Sequence, residues 1–105
     1  MDQNIKKNLV SNWFRTLQNM FCDDISKLEG GKVKFKSTNW QRNNQKDEGG
    51  GEYRILQNGK VFDKVGVNFS KVYGKFPKQF QKNILGAKKD PRFWASGISV
   101  VMHMK

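Results

Sequence analysis

Asp90-Pro91-Arg92-Phe93-Trp94-Ala95-Ser96-Gly97-Ile98-Ser99-Val100-Val101-Met102-His103 is the stretch that decides how this chain folds. Proline fixes its own φ and pushes the residue before it out of the helical region, so Asp90-Pro91 sets a turn. The residues that follow alternate as a strand does. Side chains on a strand point to opposite sides at each step. Trp94, Ser96, Ile98, Val100 and Met102 therefore share a bulky apolar face, and Ala95, Gly97, Ser99, Val101 and His103 share the other. That second face is small in its middle and carries a hydroxyl and an imidazole four residues apart, roughly 13 Å on a strand. Ser99 and His103 thus suit two parts of one large ligand and not a single small atom between them. A packing serine and a solvated histidine meet the same pattern, so spacing alone leaves both readings open.

Upstream, Glu52 to Gln57 and Lys60 to Ser70 are strand-like runs joined by Asn58-Gly59, the strongest short hairpin signal. On the second arm Val61, Val65, Val67 and Phe69 share a face with Asp63, while Phe62, Lys64, Gly66, Asn68 and Ser70 share the opposite one. Two strands then each present one apolar face and one face able to meet a polar ligand.

Further out, Ile5, Leu9, Trp13, Leu17, Phe21, Ile25 and Leu28, flanked by Val10, Phe14 and Met20, recur at helical spacing and predict an amphipathic packing helix from about Asn4 to Leu28. Asp2 or Asn4 caps its start, and Gly30-Gly31 ends it. Lys32-Val33-Lys34-Phe35-Lys36 alternates strictly and predicts a strand with its lysines in water. From Ser37 to Gly51 the periodicity vanishes. This stretch, with Trp40-Gln41-Arg42 and Gly49-Gly50-Gly51, reads as a mobile loop. The glycines lack a following Gly-Lys-Ser/Thr and a helix start, which argues against a phosphate-binding loop. Phe76-Pro77-Lys78-Gln79-Phe80 with Ile84 and Leu85 predicts a short helix closed by Gly86. The order helix, strand, loop, hairpin, helix, strand is α+β, with an antiparallel sheet flanked by helices.

At 105 residues the chain is one domain at most. Twenty Lys and Arg against 9 Asp and Glu give +11, a charge that attracts polyanions, whether nucleic acid, an anionic membrane surface or a polycarboxylate substrate. Eight Phe, three Trp and two Tyr argue against disorder. Cys22 is the only cysteine, which excludes an internal disulfide and a cysteine-rich zinc site. The first residues lack the basic and apolar runs of a signal peptide, and no stretch approaches the length of a membrane span, so a cytoplasmic protein is expected.

In four places the residues resemble the oxygen-dependent coproporphyrinogen III oxidase family. These are Trp40-Gln41-Arg42, Gly49-Gly50-Gly51-Glu52, the run from Val61 to Ser70, and Asp90 to His103. The last two are the most specific. The chain looks like the first third or so of a family member, a single partial domain over residues 1–105. The resemblance implies a flat antiparallel sheet between helical layers, in a homodimer. It implies oxidative decarboxylation of two propionates of coproporphyrinogen III to vinyl groups, giving protoporphyrinogen IX in heme biosynthesis, with molecular oxygen as co-substrate and no organic cofactor. It assigns substrate contact to Ser99 and, in some bacterial members, a divalent metal to His103. Tyr73 stands where many relatives have histidine. The family's proton-donor histidine, an asparagine-x-arginine contact and a carboxylate-arginine pair would follow after Lys105. The expectation is a truncated or split oxidase, inactive alone, with a second chain carrying the remaining part. A small basic nucleic-acid-binding protein and a non-enzymatic remnant are the competing readings.

Overall fold

The computed structural model describes residues 2–44 and 46–105. Helix α1 (Gln3–Leu28) is followed by strands β1 (Lys36–Gln41), β2 (Gly49–Gln57) and β3 (Phe62–Lys75), the four-residue helix α2 (Lys78–Gln81) and strand β4 (Arg92–Met104). The strands form one antiparallel sheet in the order β1-β2-β3-β4, so every neighbour in space is a neighbour in sequence. α1 packs against β3 and β4 on one face of that sheet. The α+β class expected from the sequence is the class observed.

α1 begins where the capping signal placed it, with the Asn4 N–H donating to Asp2 Oδ1 at 2.8 Å. Which side of it meets the sheet differs from expectation. Its buried positions are Ser11, Gln18, Cys22 and Ile25, followed by the capping residue Glu29. Ile5, Leu9, Trp13 and Met20 are each about half exposed or more. Of the expected stripe, Phe21 and Ile25 reach the core. The sheet-facing side tolerates polarity because its groups are bonded. Gln18 Nε2 donates to the carbonyls of Glu52 at 2.8 Å and Val67 at 3.2 Å, and its Oε1 accepts from Arg15 at 3.0 Å. The apolar core lies toward the other end, where Cys22 and Ile25 meet Leu56, Phe62, Val65 and Val67, with Ile98 and Val100 of β4 packed alongside.

Three local readings are corrected. Lys32 to Lys36 is not a strand: only Lys36 joins β1, while Val33 and Phe35 turn in against the core. Ser37 to Gly51 is not a loop throughout, for its two ends pair as β1 and β2, with Trp40 opposite Gly51 and Gln41 opposite Gly50. The pattern was hidden because few of these positions meet the core, so apolar alternation was not required of them. The helix expected between Phe76 and Gly86 amounts to α2 and a run of turns, in which only Ala87 is buried and Leu85 is fully exposed. Too little of that segment is covered to hold a longer helix.

The β2–β3 hairpin forms as predicted, though its connection runs from Asn58 to Val61. A register shift between Phe62 and Lys64 places an extra residue in β3 and rotates Phe62 into the core, away from the face it was expected to share with Gly66 and Asn68.

Candidate functional site

Among the described residues, the sheet face opposite α1 has no helix laid across it. Cross-strand register assigns its residues in rows. One row runs Thr38, Tyr53, Asn68, Ser99, the next Trp40, Gly51, Ser70, Gly97, and a third Lys36, Ile55, Gly66, Val101. His103 lies toward the end of β4, opposite Lys64. Ser99 and His103 therefore stand on one face, as strand alternation required, and both are exposed. They are four residues apart on one continuous strand and do not converge on a common point.

Trp40 is the largest side chain of this surface, which also carries Tyr53. Its ring reaches β2 at Gly51, where a Cβ would clash with the Phe69 carbonyl oxygen and stand 2.8 Å from Trp40 Cζ2. A side chain at that position would meet both the β3 backbone and the indole, which crosses to β3, where Nε1–H donates to Asn68 Oδ1 at 3.1 Å. Arg42 leans over the same face farther along. Its guanidinium sits 5.0 Å from the Phe93 ring centroid, within reach of the Tyr73 carbonyl at 3.5 Å and the Glu48 carboxylate at 3.5 Å. Phe93 in turn stacks at 4.9 Å on Phe76. Trp40-Gln41-Arg42, read as loop residues, are in fact placed by a strand and the turn that ends it.

The strongest electrostatic cluster lies on the other face, under α1. The Glu52 carboxylate takes hydrogen bonds from Arg54 at 3.1 Å and from Arg15 and Ser37. Arg54 first, then Ser37 and Arg15, outweigh burial and hold its carboxyl down at about 2. Arg15 also stacks 4.2 Å over Phe69. Arg15 of α1 and Arg54 of β2 both bond Glu52, so the cluster ties helix to sheet. A cleft of about 830 Å³ opens at the far end, between the start of α1 and the ends of β3 and β4, with Lys7, Tyr73, Lys75, Arg92 and Trp94 on its walls. There Arg92 pairs with Asp90 at 2.9 Å and holds that carboxyl at about 2. Burial pushes the lone Cys22 thiol up, which makes it a packing residue.

His103 is the residue expected to hold a metal. Lys64, a cation, stands opposite it, and no group of three His, Cys, Asp or Glu side chains comes together among the described residues. A single imidazole beside a lysine does not make a metal site from this chain's own residues. Asn68 is the residue that sequence reasoning placed on the correct face without giving it a part. Its signal was available only once Trp40 was known to reach it across another strand.

A model of the coproporphyrinogen III oxidase family matches residues 9–105. Among curated proteins, the oxygen-dependent coproporphyrinogen-III oxidases of Rickettsia felis and Rickettsia typhi are each 44% identical to this chain over 107 aligned residues, which cover 94% of this chain and 37% of theirs. The protein of the same name from Rickettsia akari is 42% identical over the same span. The chain thus spans 37% of the length of these relatives.

Proposed function

The chain belongs to the coproporphyrinogen III oxidase family, and from that premise we propose that it supplies the substrate-facing sheet of an oxygen-dependent coproporphyrinogen III oxidase. The reaction would convert two propionates of coproporphyrinogen III to vinyl groups with molecular oxygen, giving protoporphyrinogen IX in heme biosynthesis. One observation carries the reading. The face that α1 leaves uncovered is the face on which Ser99 stands, beside Asn68 and among glycines, and it is broad enough for a flat macrocycle.

On this reading Ser99 donates its hydroxyl to a substrate acceptor. His103, at the end of the same face, contacts substrate or contributes one imidazole to a divalent metal whose other ligands come from outside this chain. Deprotonating a pyrrole needs a placed acid and base. The chain's own residues offer one histidine, so the isolated chain is inactive and turns over only with a second polypeptide equivalent to the rest of a relative. A cytoplasmic homodimer is part of the same proposal. No helix among the described residues is long and apolar enough to cross a membrane.

The test is incubation of coproporphyrinogen III and oxygen with this chain, alone and with that complementing polypeptide. Protoporphyrin should form only in the second case. No product above the uncatalysed background with the complement present would overturn the proposal.

A further inference from the structure

We propose that Trp40 and Asn68 form a positioning pair that makes the surface around Ser99 a reader of carboxylate, an inference that rests on the substrate-facing role proposed above. An indole N–H is a donor only, so the atom that Asn68 offers it must be the amide oxygen. The 3.1 Å bond from Trp40 Nε1–H to Asn68 Oδ1 therefore fixes which way the amide points. Its oxygen is committed to tryptophan, and the two N–H groups of Nδ2 are directed elsewhere. They donate to no other group among the described residues. Directly across the β3–β4 ladder is Ser99, with an exposed hydroxyl. An amide NH₂ held by tryptophan and a neighbouring hydroxyl present donors side by side, the arrangement that a carboxylate oxygen pair accepts.

The surroundings fit a flat body carrying that carboxylate. Gly66 and Gly97 precede Asn68 and Ser99 by two residues on antiparallel strands, so they lie at opposite corners of the pair. A Cβ on Gly66 would meet nothing within 4 Å, and one on Gly97 only Ser70 Oγ at 3.7 Å. Neither glycine has positive φ. Nothing inside the chain requires glycine at either place, yet glycine within a strand weakens it and marks sites where a ligand approaches the backbone closely. Gly51 differs, because a Cβ there would clash with the Phe69 carbonyl oxygen and meet the Trp40 ring at 2.8 Å. A floor of Gly66 and Gly97 suits the planar macrocycle with carboxylate arms proposed above. The ring lies on the glycine floor, and one arm ends at Asn68 and Ser99.

The experiment is a fluorescence titration of the 105-residue chain with coproporphyrin III, the stable oxidised ring, and with its tetramethyl ester, which has the same ring without free carboxylates. The unaltered chain should prefer the acid by about tenfold, the scale of one charge-assisted hydrogen-bond pair. Asn68→Asp still accepts from Trp40 but replaces both donors with an acceptor, and it should abolish the preference by weakening the acid far more than the ester. Trp40→Phe keeps a ring over Gly51 and frees the amide to rotate, and it should lower the preference by roughly threefold. A merely structural residue would weaken acid and ester alike. Preference unchanged in both variants, or acid and ester weakened equally, overturns the inference alone. Failure of the unaltered chain to bind either porphyrin overturns the substrate-facing reading, and this inference with it.

Discussion

The carboxylate of Glu29, the residue that closes α1, accepts the backbone N–H of Phe62 at 2.8 Å. It also accepts those of Val61 at 2.9 Å and Lys60 at 2.5 Å. The helix end is thereby tied to the connection that starts β3, and three N–H groups that the turn leaves unpaired are satisfied by one side chain. Gly59 completes the lock, since a Cβ there would stand 2.5 Å from Glu29 Oε1. Burial opposes ionisation of Glu29, but the three N–H groups and Lys105 overcome it and hold the carboxyl below its ordinary 4.5. Glu29→Gln should lower the melting temperature by several degrees at neutral pH, because an amide turns one of its ends toward donors it cannot accept from. The difference between the two proteins should narrow as the pH falls below 4.5, where the wild-type carboxyl also takes up a proton. Equal melting curves at pH 7 would show that the lock does not stabilise the fold.

Glu52 gives a second acid-sensitive contact with a wider window. Its folded value of about 2 lies below the ordinary 4.5, so its contribution is complete above pH 4.5 and is lost as the pH falls through about 2. Glu52→Gln leaves Arg15 and Arg54 without their carboxylate and should destabilise the chain at pH 7 by about 2 kcal/mol. Urea unfolding at pH 7 and pH 3 measures it. A loss as large at pH 3 as at pH 7 would mean that charge has no part in the contact.

The outer face of α1 should make the chain associate. Leu9 and Trp13 are each 56% exposed, with Ile5 and Met20 beside them on the side turned from the sheet. Contiguous apolar surface of more than a few hundred Å² drives association. Leu9→Glu with Trp13→Glu should therefore shift sedimentation toward monomer while the melting temperature stays within about 2 °C, as expected of surface substitutions. A wild-type chain that sediments as monomer at high concentration would remove this prediction.

That same helix shows where the sequence was legible and where it was not. Its limits, cap and amphipathic spacing could be read because they depend on neighbours along the chain. Its orientation could not, since periodicity identifies the most apolar side and takes that side for the buried one. Here Gln18 and Ser11 face inward: Gln18 is bonded to the carbonyls of Glu52 and Val67, which only the folded chain brings near, and Ser11 to those of Lys7 and Asn8 one turn back in its own helix. The faces of β4 were legible for the opposite reason. Alternation has period two, so Ser99, Ala95, Gly97 and His103 had to share a side wherever the strand lay. The strand position of Trp40 was hidden because its neighbours on β1 answer to no core, and its bond to Asn68 spans 28 positions of sequence.

Ser99 and His103 can be separated by turnover once the chain is joined, in cis or as a second polypeptide, to the rest of a relative. Ser99 lies in the middle of the uncovered face with Asn68 opposite, so in the role proposed for it losing its hydroxyl would remove one hydrogen bond to the substrate and leave the strand intact. Ser99→Ala should lower kcat/KM by about tenfold or more, the scale of a hydrogen bond to a charged group, with no change in metal content. His103 stands roughly 13 Å farther along the strand, opposite Lys64. If its imidazole serves a metal held mainly by the complementing residues, His103→Ala should reduce bound divalent metal and make turnover more sensitive to chelator, while the affinity for coproporphyrin III is kept. If it contacts substrate, porphyrin affinity falls and metal content does not. Wild-type kinetics, porphyrin affinity and metal content in both variants would remove both residues from the site and leave the fold as described.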